Sequence, residues 1–130
     1  QRRTTEYDEQ CTVMAWAVWA VKQQPELHNL FHPANGEFRH IATAVRLKKL
    51  GVKKGVPDLF LDVPRGGYHG LRLEMKVHPN TVTPAQKDWL QRLAQQGYFV
   101  AVCYDATSAI RTIQDYLRLP SVSSGTRPAD

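Results

Sequence analysis

Cysteine is nearly absent. Cys11 and Cys103 are the only two in 130 residues, and they stand far apart in apolar stretches. No Cys-x-x-Cys pair and no disulfide framework can be written from them, which favours a reducing, intracellular setting. Long apolar runs are missing as well: none approaches the roughly 18 residues that a membrane-crossing helix needs, and the membrane reading is set aside. The opening Gln1-Arg2-Arg3 is polar and carries no signal-peptide core. Acids are the scarcer charge, with 12 Asp and Glu against 17 Lys and Arg, for a net charge of +5. On so short a chain that excess suits a polyanionic partner such as nucleic acid. No internal repeat or heptad is present.

What remains is the composition of one ordinary globular domain: 42% hydrophobic and 22% charged residues, enough for a single core and too little for two. Thr4 and Thr5 are N-cap candidates, followed by Glu6, Asp8 and Glu9 in a first helical turn. Val13, Trp16, Ala17, Ala20 and Val21 then recur at helical spacing up to Gln24, before Pro25. Leu27 to Phe31 reads as a short strand and Pro33-Ala34-Asn35-Gly36 as a turn. A second helix is expected from Glu37 to Leu50, with Gly51 as its stop. Two strands follow, 57–63 and 71–77, forming an antiparallel hairpin. A third helix opens at Thr83-Pro84 and runs to Gln96. The apolar run 98–103 reads as a strand covered on both faces. A fourth helix spans 107–117. Residues 120–130, rich in Ser, Pro and Gly, read as a flexible tail behind a domain of residues 1–119. The order α-β-α-β-β-α-β-α argues for an α/β sandwich around a mixed sheet.

The chemistry lies in the hairpin. Residues two apart on a strand share a face, so Arg72, Glu74 and Lys76 project together while Leu71, Leu73, Met75 and Val77 face the other way. Asp58 opens the partner strand, where its carboxylate can meet Glu74. Two carboxylates beside one lysine make an all-oxygen site for a hard divalent cation, and the main-chain carbonyl of Met75 can join them. The competing interpretation is a solvated charged face, whose Glu–Lys pairs contribute only ~0.2–1 kcal/mol. Helix one adds an acid. Glu6 and Gln10 extend the line of Val13 and Ala17, with Glu9 a rival on a neighbouring line; either acid could instead serve the helix dipole. Two like charges ~4–5 Å apart repel by ~3–4 kcal/mol at an effective dielectric of 20. A cluster of acids therefore needs raised pKa values or a bound cation.

Elsewhere, His28 and His32 have i, i+4 spacing but no third ligand nearby, so zinc is disfavoured. His69 and His78 flank the second strand as loop histidines. Trp16, Trp19 and Trp89 are assigned to core or interface, and Cys103 to an inert apolar position.

Taken together, the string Gly51-Val52-Lys53-Lys54-Gly55-Val56-Pro57-Asp58-Leu59, then Leu71 to Lys76, then Thr83-Pro84-Ala85-Gln86, resembles the VRR-NUC branch of the PD-(D/E)XK nucleases. Glu6…Gln10, Pro33-Ala34-Asn35-Gly36-Glu37-Phe38-Arg39 and Gly97-Tyr98 fit the same pattern in the same order, so the resemblance covers Glu6 to Leu117. One departure is Asn35-Gly36-Glu37, where a second Gly is common. The resemblance implies a restriction-endonuclease-like mixed sheet and Mg²⁺ or Mn²⁺ held by Asp58, Glu74 and the Met75 carbonyl. Glu6 completes the acidic cluster, directly or through water. Lys76 orients the attacking water, and Gln86 stands near the site, although Thr83-x-x-Gln86 is also a capping box.

The activity implied is hydrolysis of DNA phosphodiesters, with branched DNA such as a Holliday junction as the structure-specific substrate, in replication, recombination or repair. A homodimer, no small-molecule cofactor and a cytoplasmic place in a bacterial or phage-infected cell go with it. Flanking phosphates are assigned to Gln10, Asn35, Arg39, Arg46, Lys53, Lys54 and Arg72, with Lys48 and Lys49 in the same basic patch. The alternatives are a non-catalytic nucleic-acid-binding module that keeps the fold, a metal-free acid–base hydrolase using Glu74 and Asp58 on a small substrate, and RNA in place of DNA.

Overall fold

A computed structural model describes residues 4–35 and 41–121, excepting the side chains of residues 41 and 42. The elements run α1 (Glu6–Ala20), a 3-10 turn (Pro25–Asn29), β1 (Leu30–Phe31), α2 (Ile41–Lys49), β2 (Leu59–Leu61), β3 (Leu71–Met75), α3 (Pro84–Gln95), β4 (Phe99–Cys103) and α4 (Ala106–Leu117). One four-stranded sheet has the order β1-β2-β3-β4. The first three strands pair antiparallel, and β4 joins β3 in parallel. A parallel neighbour requires a crossover, which α3 supplies. The architecture is the mixed α/β sheet flanked by helices that the sequence implies.

Local chemistry explains most boundaries. Thr5 caps α1 in a capping box with Asp8, leaving Thr4 outside it. The helix closes at Ala20 rather than Gln24, because Gln24 precedes Pro25 and leaves the helical region at φ −137, ψ 85. The expected strand 27–31 is mostly a 3-10 turn led by Pro25, with only Leu30 and Phe31 paired. Ala34 lies in the left-handed region at φ 51, within the expected turn at 33–36. The first residues of the expected second helix, Glu37 to His40, lie outside the described residues, as do Gly36 and all of the tail beyond Ser121. Pro120 and Ser121, assigned to that tail, still pair with Gly66 and Arg65.

The core lies between one face of the sheet and the pair α1 and α4. Leu59, Leu61, Leu71, Leu73 and Met75 meet Val13 and Ala17 of α1 and Ala109 and Ile113 of α4, all buried. Cys103 sits there too, its thiol pushed up in pKa by burial, which leaves it the inert apolar group expected. Two expectations about exposure change. The run 98–103 forms an edge strand and is only half-buried except at Cys103, since only β3 flanks it. Conversely, β3 is buried on both faces: Arg72, Glu74 and Lys76 are 8%, 2% and 6% exposed. Its charge alternation therefore marks two kinds of interior rather than core and solvent.

α1 is apolar on more than its core face. Val18 and Trp19 are 72% and 67% exposed, on the side away from Val13 and Ala17, whereas Trp16 packs against the core. Among the described residues, no helix is long and apolar enough to cross a membrane.

Candidate active site

Everything in the site follows from β2 beginning only at Leu59, one residue after Asp58. Leu59 pairs with Leu73, so continued pairing would set residue 57 opposite Met75. Residue 57 is Pro, which lacks an N–H and is poorly suited to a ladder. The strand leaves the sheet there, and the Asp58 side chain takes over its hydrogen bonding: Met75 N–H donates to Asp58 Oδ2 at 2.8 Å. In an extended strand the N–H and C=O of one residue point to the same edge, so the Met75 carbonyl is directed to the Asp58 side. From behind, the His32 ring donates through Nδ1 to the Asp58 carbonyl oxygen at 2.6 Å; a carbonyl only accepts, which puts the proton on that nitrogen.

Glu74 stands beside Asp58 on the opposite face of β3 from the core. Its Oε2 accepts from Gln86 Nε2 at 3.2 Å. Its Oε1 is buried and meets no donor among the described residues. Burial raises the Glu74 pKa to about 9, helped by the hydrogen bond and the charge of Asp58 and, less, by the charge of Glu6, against the opposing charge of Lys76. Two carboxylates are both acceptors, so they bond each other only while one holds a proton. Burial and the neighbouring Asp58 thus favour the protonated form of Glu74.

Gln86 makes two sets of contacts. Its backbone N–H and side-chain Oε1 form the capping box with Thr83 that opens α3, and its remaining amide hydrogens reach Glu74. The two candidate acids of α1 separate. Glu9 is engaged elsewhere, accepting from the first N–H of α4 at Ala106 (2.8 Å) and from the Thr4 hydroxyl (2.7 Å). Glu6 accepts from Asn80 just beyond β3 and is close enough for its charge to act on Glu74. Gln10 is half-buried on the same helix.

The donor set suits a hard cation. It consists of oxygens, it carries more negative charge than its surroundings stabilise, and it leaves one buried carboxylate oxygen without a donor. Among the described residues no three His, Cys, Asp or Glu side chains gather as a ligand cluster. The oxygens on offer are thus two carboxylates and a main-chain carbonyl, with Glu6 outside them.

The residues assigned to flanking phosphates divide. Arg46, Lys53 and Lys54 are exposed, and Arg39 lies outside the described residues. Arg72 is turned inward instead: it pairs with Asp62 at 2.9 Å and its guanidinium lies 4.0 Å from the Phe60 ring centroid and 4.4 Å from that of Tyr98. Cross-strand pairing of Arg72 with Phe60 and parallel packing beside β4 close over it, so its charge is used inside the fold. Asn35 likewise turns to the chain, bonding the Lys53 backbone through both side-chain polar atoms. His69 and His78 pack on Tyr98 and Tyr104. His28 is exposed and His32 is on Asp58, apart from each other because the segment between them is not an α-helix. The contacts of His32, Asn80 and Trp89 were not legible beforehand, as each acts through a partner at least 26 residues away.

A cavity of about 1070 Å³ opens beside Asp58. Asp58 and Gln86 form one wall, and His32, Asn35, Lys48, Lys53 and Lys54 contribute to the others.

The VRR-NUC domain family model matches residues 1–106. None of the curated proteins matches the chain. Among solved structures, a VRR_NUC domain protein superimposes with a TM-score of 0.78 at 32% identity, over 98% of this chain and 100% of that one. The matched span includes β2, β3 and α3, and with them Asp58 just before β2, Glu74 on β3, Lys76 just after it and Gln86 in the first turn of α3. With the fold and the match in agreement, the chain belongs to the VRR-NUC domain family and has its nuclease-type fold.

Proposed function

We propose that this protein is a Mg²⁺- or Mn²⁺-dependent endonuclease that hydrolyses DNA phosphodiester bonds. The observation that carries this reading is the burial of Glu74 against Asp58, with Lys76 two residues along on the same face of β3. A solvated charged face has no such burial. A module that only binds nucleic acid gains nothing from burying Glu74 beside a second, half-buried acid.

Asp58, Glu74 and the Met75 carbonyl hold the cation. When bound, it polarises the phosphate and makes water a stronger nucleophile near neutral pH. The chain's residues do the rest. Gln86 fixes the orientation of Glu74 through Oε2, and the Met75 N–H fixes that of Asp58. Lys76 orients the attacking water and offsets charge that develops on the phosphate. Glu6 acts from outside through water. Arg46, Lys53 and Lys54, and Arg39 of the same sequence motif, hold flanking phosphates, which makes binding salt-sensitive.

Branched DNA is the proposed preference. Symmetric cutting of a junction needs two sites, hence a homodimer, and the exposed apolar side of α1 supports one. The test is a cleavage panel of junction, flap, duplex and single-stranded DNA with Mg²⁺ or Mn²⁺. Asp58→Asn and Lys76→Ala should each lower cleavage by about 100-fold or more while DNA binding persists. Retained cleavage by Lys76→Ala overturns its role, and cleavage by the wild type in excess EDTA returns the metal-free hydrolase.

A further inference from the structure

The segment between α2 and β2, residues 51–57, carries Lys53 and Lys54 beside the cavity that Asp58 opens into. Basic loops on protein surfaces are ordinarily loose, but this one is held at three successive residues. The Asn35 side chain binds both polar groups of the Lys53 backbone, accepting its N–H at 3.4 Å and donating to its carbonyl. The Trp89 indole N–H donates to the Lys54 carbonyl at 2.9 Å. Gly55, at φ 88, lies so close to α3 that a Cβ there would stand 2.6 Å from the Ala85 carbonyl carbon and 2.8 Å from the Gln86 nitrogen. Because Lys53 and Lys54 turn their main-chain groups inward to these partners, both side chains are exposed. The third anchor is the helical turn that also supplies Gln86 to Glu74.

From this arrangement we propose that residues 51–57 form a preset phosphate clamp, with Asn35 and Trp89 as positioning residues that act through Lys53 and Lys54. The inference rests on the nucleic-acid reading above and extends it: the clamp holds phosphates of the strand lying in the cavity at a constant offset from Asp58. A flexible lysine loses side-chain and backbone freedom when it takes a phosphate. A loop already fixed at its backbone loses only the side-chain part. Trp89 therefore strengthens binding without touching DNA.

The measurement is anisotropy of a fluorescein-labelled DNA duplex in EDTA, across a range of salt, so that no cleavage intervenes. Lys53→Gln with Lys54→Gln should weaken binding about tenfold and reduce the salt slope by about 2, near one per lysine. Trp89→Phe keeps an aromatic ring while removing the N–H donor and part of the ring's bulk. It should weaken binding about threefold in the wild-type background and have no effect once both lysines are replaced. That loss of effect separates positioning from general destabilisation, which would act equally in both backgrounds; melting temperatures of all variants accompany it.

Asn35→Ala should behave as Trp89→Phe does. Equal effects of Trp89→Phe with and without the lysines, or a double lysine variant that binds like the wild type, would overturn the clamp. Should the wild type bind with the expected pattern yet cut no substrate, the nuclease reading falls and the clamp stands. Failure of the wild type to bind DNA at all removes both.

Discussion

At the scale of single residues, Glu74 is a carboxyl group whose folded environment favours its proton. Burial, then Asp58, raise its pKa from 4.5 to about 9. Between those values the folded state holds a proton that the unfolded state releases, so stability falls as pH rises through the window. That loss should be steepest without metal. Glu74→Gln replaces the neutral acid by a neutral amide and should flatten the dependence, raising the melting temperature at the alkaline end relative to wild type. Mn²⁺ should do the same to the wild type, because a cation takes the place of the proton and competes better as pH increases. Thermal melts from pH about 4.5 to about 9, with EDTA or Mn²⁺, test both expectations. A Glu74→Gln profile parallel to the wild type would show that the destabilising charge sits elsewhere.

At the scale of elements, the close approach of the 51–57 loop to α3 is the most exacting contact around the site. Gly55→Ala puts a Cβ against the Ala85 carbonyl carbon at a positive φ. The left-handed conformation alone costs a non-glycine residue about 1–2 kcal/mol, and the backbone clash adds to it. Gly55→Ala should lower the melting temperature by several degrees and weaken DNA binding more than Gly51→Ala, whose Cβ would meet nothing within 4 Å although its φ is also positive. Equal binding by the two variants would mean that the loop's backbone position is immaterial.

Most elements were legible at this scale. The caps at Thr5 and Thr83 and the stop at Gly97 follow from side-chain chemistry acting within a few residues. Burial was harder to read, because Arg72-x-Glu74-x-Lys76 alternates as an amphipathic strand would. Only the packing of a parallel neighbour and α3 over that face turned it into an interior.

For the whole molecule, one exposed feature is unlike a monomer's surface. The side of α1 away from the core presents Val18 at 72% and Trp19 at 67% exposure. Large apolar groups gathered on one helix mark a contact surface more often than a free one. With the proposed homodimer, Trp19→Lys should shift the protein toward monomer, weakening self-association tenfold or more, as truncating a central aromatic commonly does. Light scattering coupled to size-exclusion chromatography reads this directly. A wild type that is monomeric at high concentration would end the dimer proposal and direct attention to substrates cut on one strand.

Sequence by itself determined which residues could do chemistry here. Strand alternation and a hairpin are local rules, written over a few residues, and they put Glu74 and Lys76 on one face with Asp58 on the partner strand. Gln86 entered only through the resemblance to the VRR-NUC family, its capping box with Thr83 being the local alternative. Sequence also determined that Glu6 or Glu9 might join them, without choosing. Tertiary structure separates the two, since α4 brings the Ala106 N–H to Glu9 while the charge of Glu6 acts on Glu74. It likewise drew Arg72 inward and set His32, Asn35 and Trp89 on the backbone around Asp58 and its loop. Such contacts join segments distant along the chain, and their geometry exists only once the sheet has paired and the helices have docked on it.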